Sequence, residues 1–307
     1  MPELPDVELY LHALSSRIVG QTLQRVRLTS PFLLRSVMPP VSSIEGRRVR
    51  GLRRLGKRIV WAFDDDLFVV IHLMIAGRFR WVEPNAEGRE PRAAGRGPRT
   101  ALAAFEFSSG TLQLTEASPK KRASLYVVQG AAALEGHDPG GIEVLTATSD
   151  EFIERLRLEN RTLKRALTDP RLFSGIGNAY SDEILHEARM SPTQLTSNLT
   201  DPQAKQLFES VRSVLQMWKA RLIDSTGASF PEKVTAFRPE MAVHGKFGQP
   251  CPRCGTSVQR IRYAANECNY CAPCQTAGRL LADRGLSRLL GADWPRSLEE
   301  LEDLKRR

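Results

Sequence analysis

The stretch CPRCGTSVQRIRYAANECNYCAPC, residues 251–274, carries all five cysteines of the chain. Cys251 and Cys254 form one C-x2-C pair and Cys271 and Cys274 another, with sixteen residues between the pairs. Each pair brings two thiolates together, and the segment between them reads as a β-hairpin that returns the second pair to close a tetrahedral four-thiolate site. Zinc is the ion such a donor set selects. A closed site of this kind leaves no open coordination position, so the metal is expected to be a single structural Zn2+ that staples a basic hairpin carrying Arg253, Arg260 and Arg262. Cys268 stands in the same C-x2-C spacing to Cys271, which leaves a swapped register open. Cysteines confined to one cluster argue for a metal over disulfides.

The 307 residues suffice for more than one domain with a substantial core. A hydrophobic fraction of 41% and a charged fraction of 26% are those of a soluble globular protein, but the formal net charge is +9. Such an excess points to a polyanionic partner, most simply nucleic acid. No apolar run is long enough for a membrane span and the N-terminus shows no basic-then-apolar signal-peptide pattern, so a cytoplasmic, nucleoid-associated protein is expected, with no membrane partner, acting as a monomer.

Upstream of the cysteines the pattern is helical. A helix is expected over residues 150–168 with Ser149 as its cap, ended by Pro170. The turn Ser174-Gly175-Ile176-Gly177-Asn178 leads into a second helix reaching Ala188, and glycines at a helix N-terminus let backbone N–H groups approach an anion. A long helix follows over residues 202–223. Before residue 130 the runs are short and alternating, and strands are expected over residues 24–28, 58–63, 67–73, 101–107, 111–115 and 124–128, with Ser108-Ser109-Gly110 as a hairpin turn. Residues 46–58, GRRVRGLRRLGKR, hold seven basic residues and no acidic one. They suggest a strand or edge presenting arginines in a row, as phosphate contacts require. Residues 83–99 read as a mobile loop. The first helix, over residues 6–19, shows one apolar face of Val7, Leu11, Leu14 and Ile18 and ends at Gly20. The fold class is α+β: an N-terminal antiparallel β-sandwich with a packed helix (1–135), a linker (136–148), a helical domain (149–240), a zinc finger (241–278) and a helical tail (279–307).

Ahead of the first helix stands Met1-Pro2-Glu3-Leu4-Pro5-Asp6. Removal of the initiator methionine, usual before a small residue, leaves a proline whose secondary amine is a nucleophile. An α-amino group ionises at roughly 7.7 to 8.0, so part of it is uncharged near neutral pH. It can attack a carbon such as C1' of a sugar and form an iminium, with Glu3 placed for proton transfer.

Taken together, Pro2-Glu3-Leu4-Pro5, Lys57, His72-Leu73 with Gly77, Lys164, Gly175-Ile176-Gly177-Asn178 with Tyr180 and Glu183, Val243-His244-Gly245-Lys246 and the four cysteines with Gln275 resemble the formamidopyrimidine-DNA glycosylase and endonuclease VIII family of base-excision repair enzymes. The resemblance implies a helix-two-turn-helix motif in the helical domain and a bifunctional glycosylase and AP lyase acting on DNA with damaged bases or abasic sites. Pro2 would displace the base at C1' through a Schiff base, and β,δ-elimination would then cut the strand. Glu3 would be the general acid and base, with Lys57 beside the reacting sugar and phosphate. Lys164 and Asn178 would hold phosphates around the flipped nucleotide, and His72, Lys121 and Asn266 would also contact DNA. The same residues fit a second reading, a catalytically weak relative that binds damaged DNA.

The chain departs from the family pattern in places. Asp6 replaces the usual glutamate, Ile75 stands at a methionine position, and Lys120-Lys121-Arg122 occupies an Arg-Arg-Phe segment, which removes the aromatic wedge. Asn266 replaces a finger arginine, losing one charge toward phosphate. Excision of 8-oxoguanine opposite cytosine is therefore expected to be slower than in formamidopyrimidine-type relatives that keep these residues. Single-turnover kinetics on one duplex tests this, and equal rates would refute it.

Overall fold

The computed structural model describes residues 1–84, 101–263, 266–282 and 288–306. Most of the expected 83–99 loop, and residues 283–287 of the tail, lie outside them. The chain divides into two compact units, one of residues 1–139 and 218–236, the other of residues 140–217 and 237–307.

In the first unit two four-stranded antiparallel sheets form the sandwich. One has the order β1 (Arg25–Leu28), β6 (Ala101–Phe107), β7 (Gly110–Glu116), β5 (Gly77–Val82). The other has the order β2 (Val49–Leu55), β3 (Arg58–Phe63), β4 (Leu67–His72), β8 (Ser124–Gln129). Strand β3 explains the layering. Trp61 turns inward and meets Phe105 of β6 edge-on with centroids 4.9 Å apart, while Val60 on the other face packs with Val70, Val128 and Leu134 of α2 (Ala131–Glu135). Both faces of β3 are covered, so its sequence is apolar almost throughout. The Ser108-Ser109 turn joins β6 and β7 as expected, with Phe107 paired to Gly110.

Helix α1 (Leu4–Ile18) buries Val7, Leu14 and Ile18 of the expected face, with Leu4, Tyr10 and Ala13, while Leu11 is only half-buried, and Gly20 follows at φ +82°. Arg17 anchors it to the segment 218–236: one guanidinium nitrogen bonds the Ala228 carbonyl at 2.7 Å, and the group lies over the rings of Phe230 and Trp81.

In the second unit the expected 150–168 helix is two helices, α3 (Ser149–Arg157) and α4 (Leu163–Thr168). The break has a tertiary cause. Arg161 N–H donates to Thr196 Oγ1, Leu163 N–H to the Gln194 carbonyl and Lys164 N–H to the Pro192 carbonyl, so these groups are taken up by the 192–196 segment. The cap is Thr148, not Ser149: its hydroxyl accepts from Glu151 N–H and Glu151 returns the contact, a capping box. Helices α5 (Asn178–Glu187) and α6 (Asp201–Thr226, of which residues 201–217 belong to this unit) follow, then the hairpin of β9 (Gln259–Tyr263) and β10 (Asn266–Tyr270), the short α7 (Ala272–Thr276) and a C-terminal helix, Leu298–Arg306. Among the described residues no helix is long and apolar enough to cross a membrane.

Phe152 is fully buried, stacked on Phe173 at 4.6 Å and against Phe208 at 5.4 Å. Phe152→Ala is expected to destabilise the second unit by about 3–5 kcal/mol through the cavity it leaves, measured by denaturant unfolding.

Candidate active site and metal centre

The N-terminal end is organised by a capping box. The Glu3 carboxylate accepts the backbone N–H of Asp6, and Asp6 Oδ2 accepts Glu3 N–H at 3.0 Å. Asp6 is completely buried and Glu3 nearly so. The shorter carboxylate at position 6 thus holds the backbone of Glu3, which fixes where the Glu3 side chain stands. Burial lowers the proton affinity of the N-terminal amine, with Arg78 and Lys57 acting in the same direction and Glu3 and Asp6 against it. That amine belongs to Met1, which is 36% exposed, whereas Pro2 behind it is buried.

Lys57 sits in the Gly56-Lys57 turn between β2 and β3, where Leu55 pairs with Arg58 and Gly56 takes φ +61°. His72 ends β4. Burial pushes its imidazole down to about 4, with Arg58, Lys57 and the N-terminal amine adding to the shift, and its buried Nε2 has no hydrogen-bond partner. Lys57 acts on both groups and the N-terminal amine acts on His72, which brings that amine, Glu3, Lys57 and His72 into one electrostatic neighbourhood. Arg78 belongs with them and carried no signal in the sequence. It also braces the loop ahead of it by donating to the Ile75 carbonyl at 3.0 Å, leaving Ile75 61% exposed. Gly77 is required there, since a Cβ would come within 2.2 Å of the Leu73 carbonyl oxygen.

Lys121 lies in a loop pinned by the buried Glu116, whose carboxylate accepts Arg122 N–H at 2.9 Å and Ala123 N–H at 3.1 Å. The Lys121 ammonium donates to the Glu116 carbonyl. The basic stretch 46–58 does form strand β2, but its arginines are not a free row. Arg47 pairs with Asp65, Arg50 with Asp64 and Arg54 with Glu8, and Arg48 donates to the Gly20 carbonyl.

In the second unit Lys164 and Asn178 come together. The Lys164 ammonium is buried and donates to the Asn178 carbonyl at 2.6 Å and to Asp182 Oδ1 at 2.5 Å. Asp182 Oδ2 lies 2.8 Å from His244 Nδ1. Asn178 Nδ2 donates to the Glu267 carbonyl at 2.9 Å. The neighbouring Asn266 begins β10, opposite Tyr263, and its side chain lies outside the described residues.

The Sγ atoms of Cys251, Cys254, Cys271 and Cys274 all lie within 4.8 Å of one another, with Cys251 and Cys274 at 4.0 Å and Cys254 and Cys271 at 3.4 Å. A tetrahedron with metal–sulfur bonds of about 2.3 Å has sulfur–sulfur edges of about 3.8 Å, so the four can hold one metal ion. Burial pushes the Cys271 thiol upward, and a dication would reverse that by stabilising the thiolate. Cys268 is outside the group; burial and the Asp182 carboxylate push its thiol well up. The cysteines that come together are thus Cys271 and Cys274 with Cys251 and Cys254, not the swapped set with Cys268.

Comparison with known proteins agrees with this geometry. The model of the formamidopyrimidine-DNA glycosylase N-terminal domain matches residues 1–123, and that of the formamidopyrimidine-DNA glycosylase H2TH domain matches residues 137–228. The chain belongs to the formamidopyrimidine-DNA glycosylase family. The formamidopyrimidine-DNA glycosylase of Heliobacterium modesticaldum is 31% identical over 287 residues, covering 90% of this chain and 100% of the relative. That of Thermus thermophilus is 30% identical over 292 residues, covering 91% and 100%. The solved MutM (Fpg) protein from Thermus thermophilus superposes with a TM-score of 0.72 at 30% identity, covering 89% of this chain and 98% of that one. Lactococcus lactis Fpg in complex with abasic-site DNA gives 0.76 at 26% identity, covering 89% and 99%. The family's sandwich, H2TH unit and four-cysteine cluster are the architecture described above.

The His72 imidazole is expected to stay neutral at pH 7, with an NMR titration midpoint near 4 and not near 6.5. Because the folded value is depressed, the unfolded chain takes up the proton first, so His72 removes stability as pH falls from 6.5 toward 4.

Proposed function

We propose that Pro2, exposed as the N-terminal residue after loss of Met1, is the nucleophile of this base-excision-repair DNA glycosylase. The observation that carries the proposal is a buried Pro2 directly before Glu3, whose carboxylate and backbone are held by a reciprocal capping box with Asp6. An uncharged amine attacks C1' of the damaged nucleotide and gives up its proton, the C1'–N bond to the base breaks as the base leaves with a proton, and the C1'–O4' bond then opens with a proton delivered to O4', leaving a Schiff base. Glu3 moves the protons. β- and δ-elimination then release the strand ends, the AP lyase half of the activity. Lys57 and the neutral His72 face the sugar and its phosphates. Flipping the nucleotide costs a few kcal/mol, least for a base that already pairs badly.

DNA with damaged bases or abasic sites is the partner, as in the Lactococcus lactis complex with abasic-site DNA. In our reading Lys121, Lys164, Asn178 and Asn266 serve DNA contact. Lys164 does so by setting the Asn178 turn, since its ammonium is held by Asp182. The four cysteines would hold one structural Zn2+, which supplies fixed geometry to the hairpin and no reaction step. We further read the chain as a monomer in the cytoplasm, close to the nucleoid. Its working parts would be the catalytic domain 1–135, the linker 136–148, the H2TH domain 149–240, the finger 241–278 and the tail 279–307.

Incubation with abasic-site DNA and sodium borohydride tests the assignment. A covalent adduct is expected, and it should vanish in Pro2→Gly and in protein that retains Met1. Correctly processed, zinc-loaded protein that gives no adduct would overturn the lyase reading in favour of a DNA-binding relative.

A further inference from the structure

Helix α5 ends against the cysteine cluster, and a side chain there has no part in the chemistry above. His186 is buried and places Nε2 3.3 Å from Cys251 Sγ. Its backbone carbonyl accepts Arg253 Nη1 at 2.7 Å, and Glu187 takes Arg253 Nη2 at 2.8 Å. Arg253 stands between Cys251 and Cys254, so the end of α5 grips the Cys-Pro-Arg-Cys knuckle at its sulfur and at its arginine. We propose that His186 is a positioning residue of the metal centre, donating Nε2–H to the Cys251 thiolate and so slowing both attack on that sulfur and loss of the ion.

The direction of the hydrogen bond follows from the ligand chemistry. A sulfur bound to a metal carries no proton, so only the ring nitrogen can supply the hydrogen, and the tautomer with hydrogen on Nε2 is selected. A thiolate that accepts such a bond shares its charge with the donor and offers less of it to an electrophile. Both groups are buried, where weak screening strengthens the contact. A phenylalanine would fill comparable space without a donor, so packing alone predicts no consequence for the sulfur. The inference rests on reading the four cysteines as a metal site.

The first test uses the wild-type chain loaded with 113Cd. A scalar coupling between the metal and the His186 ring proton is expected across the N–H···S contact. Bound metal without that coupling overturns the His186 assignment alone, whereas a chain that binds no metal overturns the metal reading with it. The second test compares His186→Phe with His186→Gln, which keeps an N–H donor. In the phenylalanine variant iodoacetamide labelling of Cys251 should rise about 10-fold, the low end of what partners of metal ligands contribute. Its Co2+-loaded form should show the thiolate charge-transfer band at lower energy, with the glutamine variant nearer wild type. Identical labelling and spectra in all three proteins would sink the proposal.

Discussion

Glu183 is nearly buried, and its carboxylate accepts three successive backbone N–H groups, from Ala242, Val243 and His244, at 2.8 to 2.9 Å. Burial raises its pKa against the pull of those three donors. Without this carboxylate the 242–244 segment, which leads into Cys251, would bury unpaired N–H groups, a loss of about 1–3 kcal/mol for each. Asp182, one residue earlier, ties Lys164 and His244 together. The finger is therefore mounted on a helix by two adjacent buried acids, and the same helix starts at Asn178 and ends at His186 and Glu187. A buried charge is tolerated only when it is paired, and here the pairing builds the unit.

The first unit uses the same device in smaller form. Glu3 and Asp6 complete each other's hydrogen bonds at the start of α1, and Arg17 near its end fastens the helix to Ala228 and Phe230. A carboxylate fixed in this way keeps one position, as the general acid and base role proposed for Glu3 requires. The net charge of +9 is a guide to the partner and a poor guide to its address. Four arginines of the richest basic stretch are engaged internally, so the charge that meets a phosphate has to be identified residue by residue.

Features with local causes were legible in the chain. The cysteine spacing, the hairpin between the pairs, the Ser108-Ser109 turn and the apolar face of α1 each depend on residues near one another in sequence. The helix expected over 150–168 failed because its middle N–H groups bond to residues 192–196, some thirty positions away. Thr148 won the cap over Ser149 because Glu151 could return the bond. Arg78 and His186 carried no signal, since each acts through a contact that the chain only makes after folding.

By itself the sequence determined the chemistry available: an N-terminal Pro-Glu, a lysine in a tight turn, a glycine turn before a helix and four thiolates at metal-binding spacing. Tertiary structure decided which of those groups are engaged and by whom. It buried Lys164 against Asp182, left the His72 Nε2 without a partner, set Cys268 outside the four-cysteine group and laid a histidine on Cys251. The reason is physical. Bonding capacity belongs to a side chain, but desolvation and pairing belong to its neighbours, and most of those neighbours are distant in sequence.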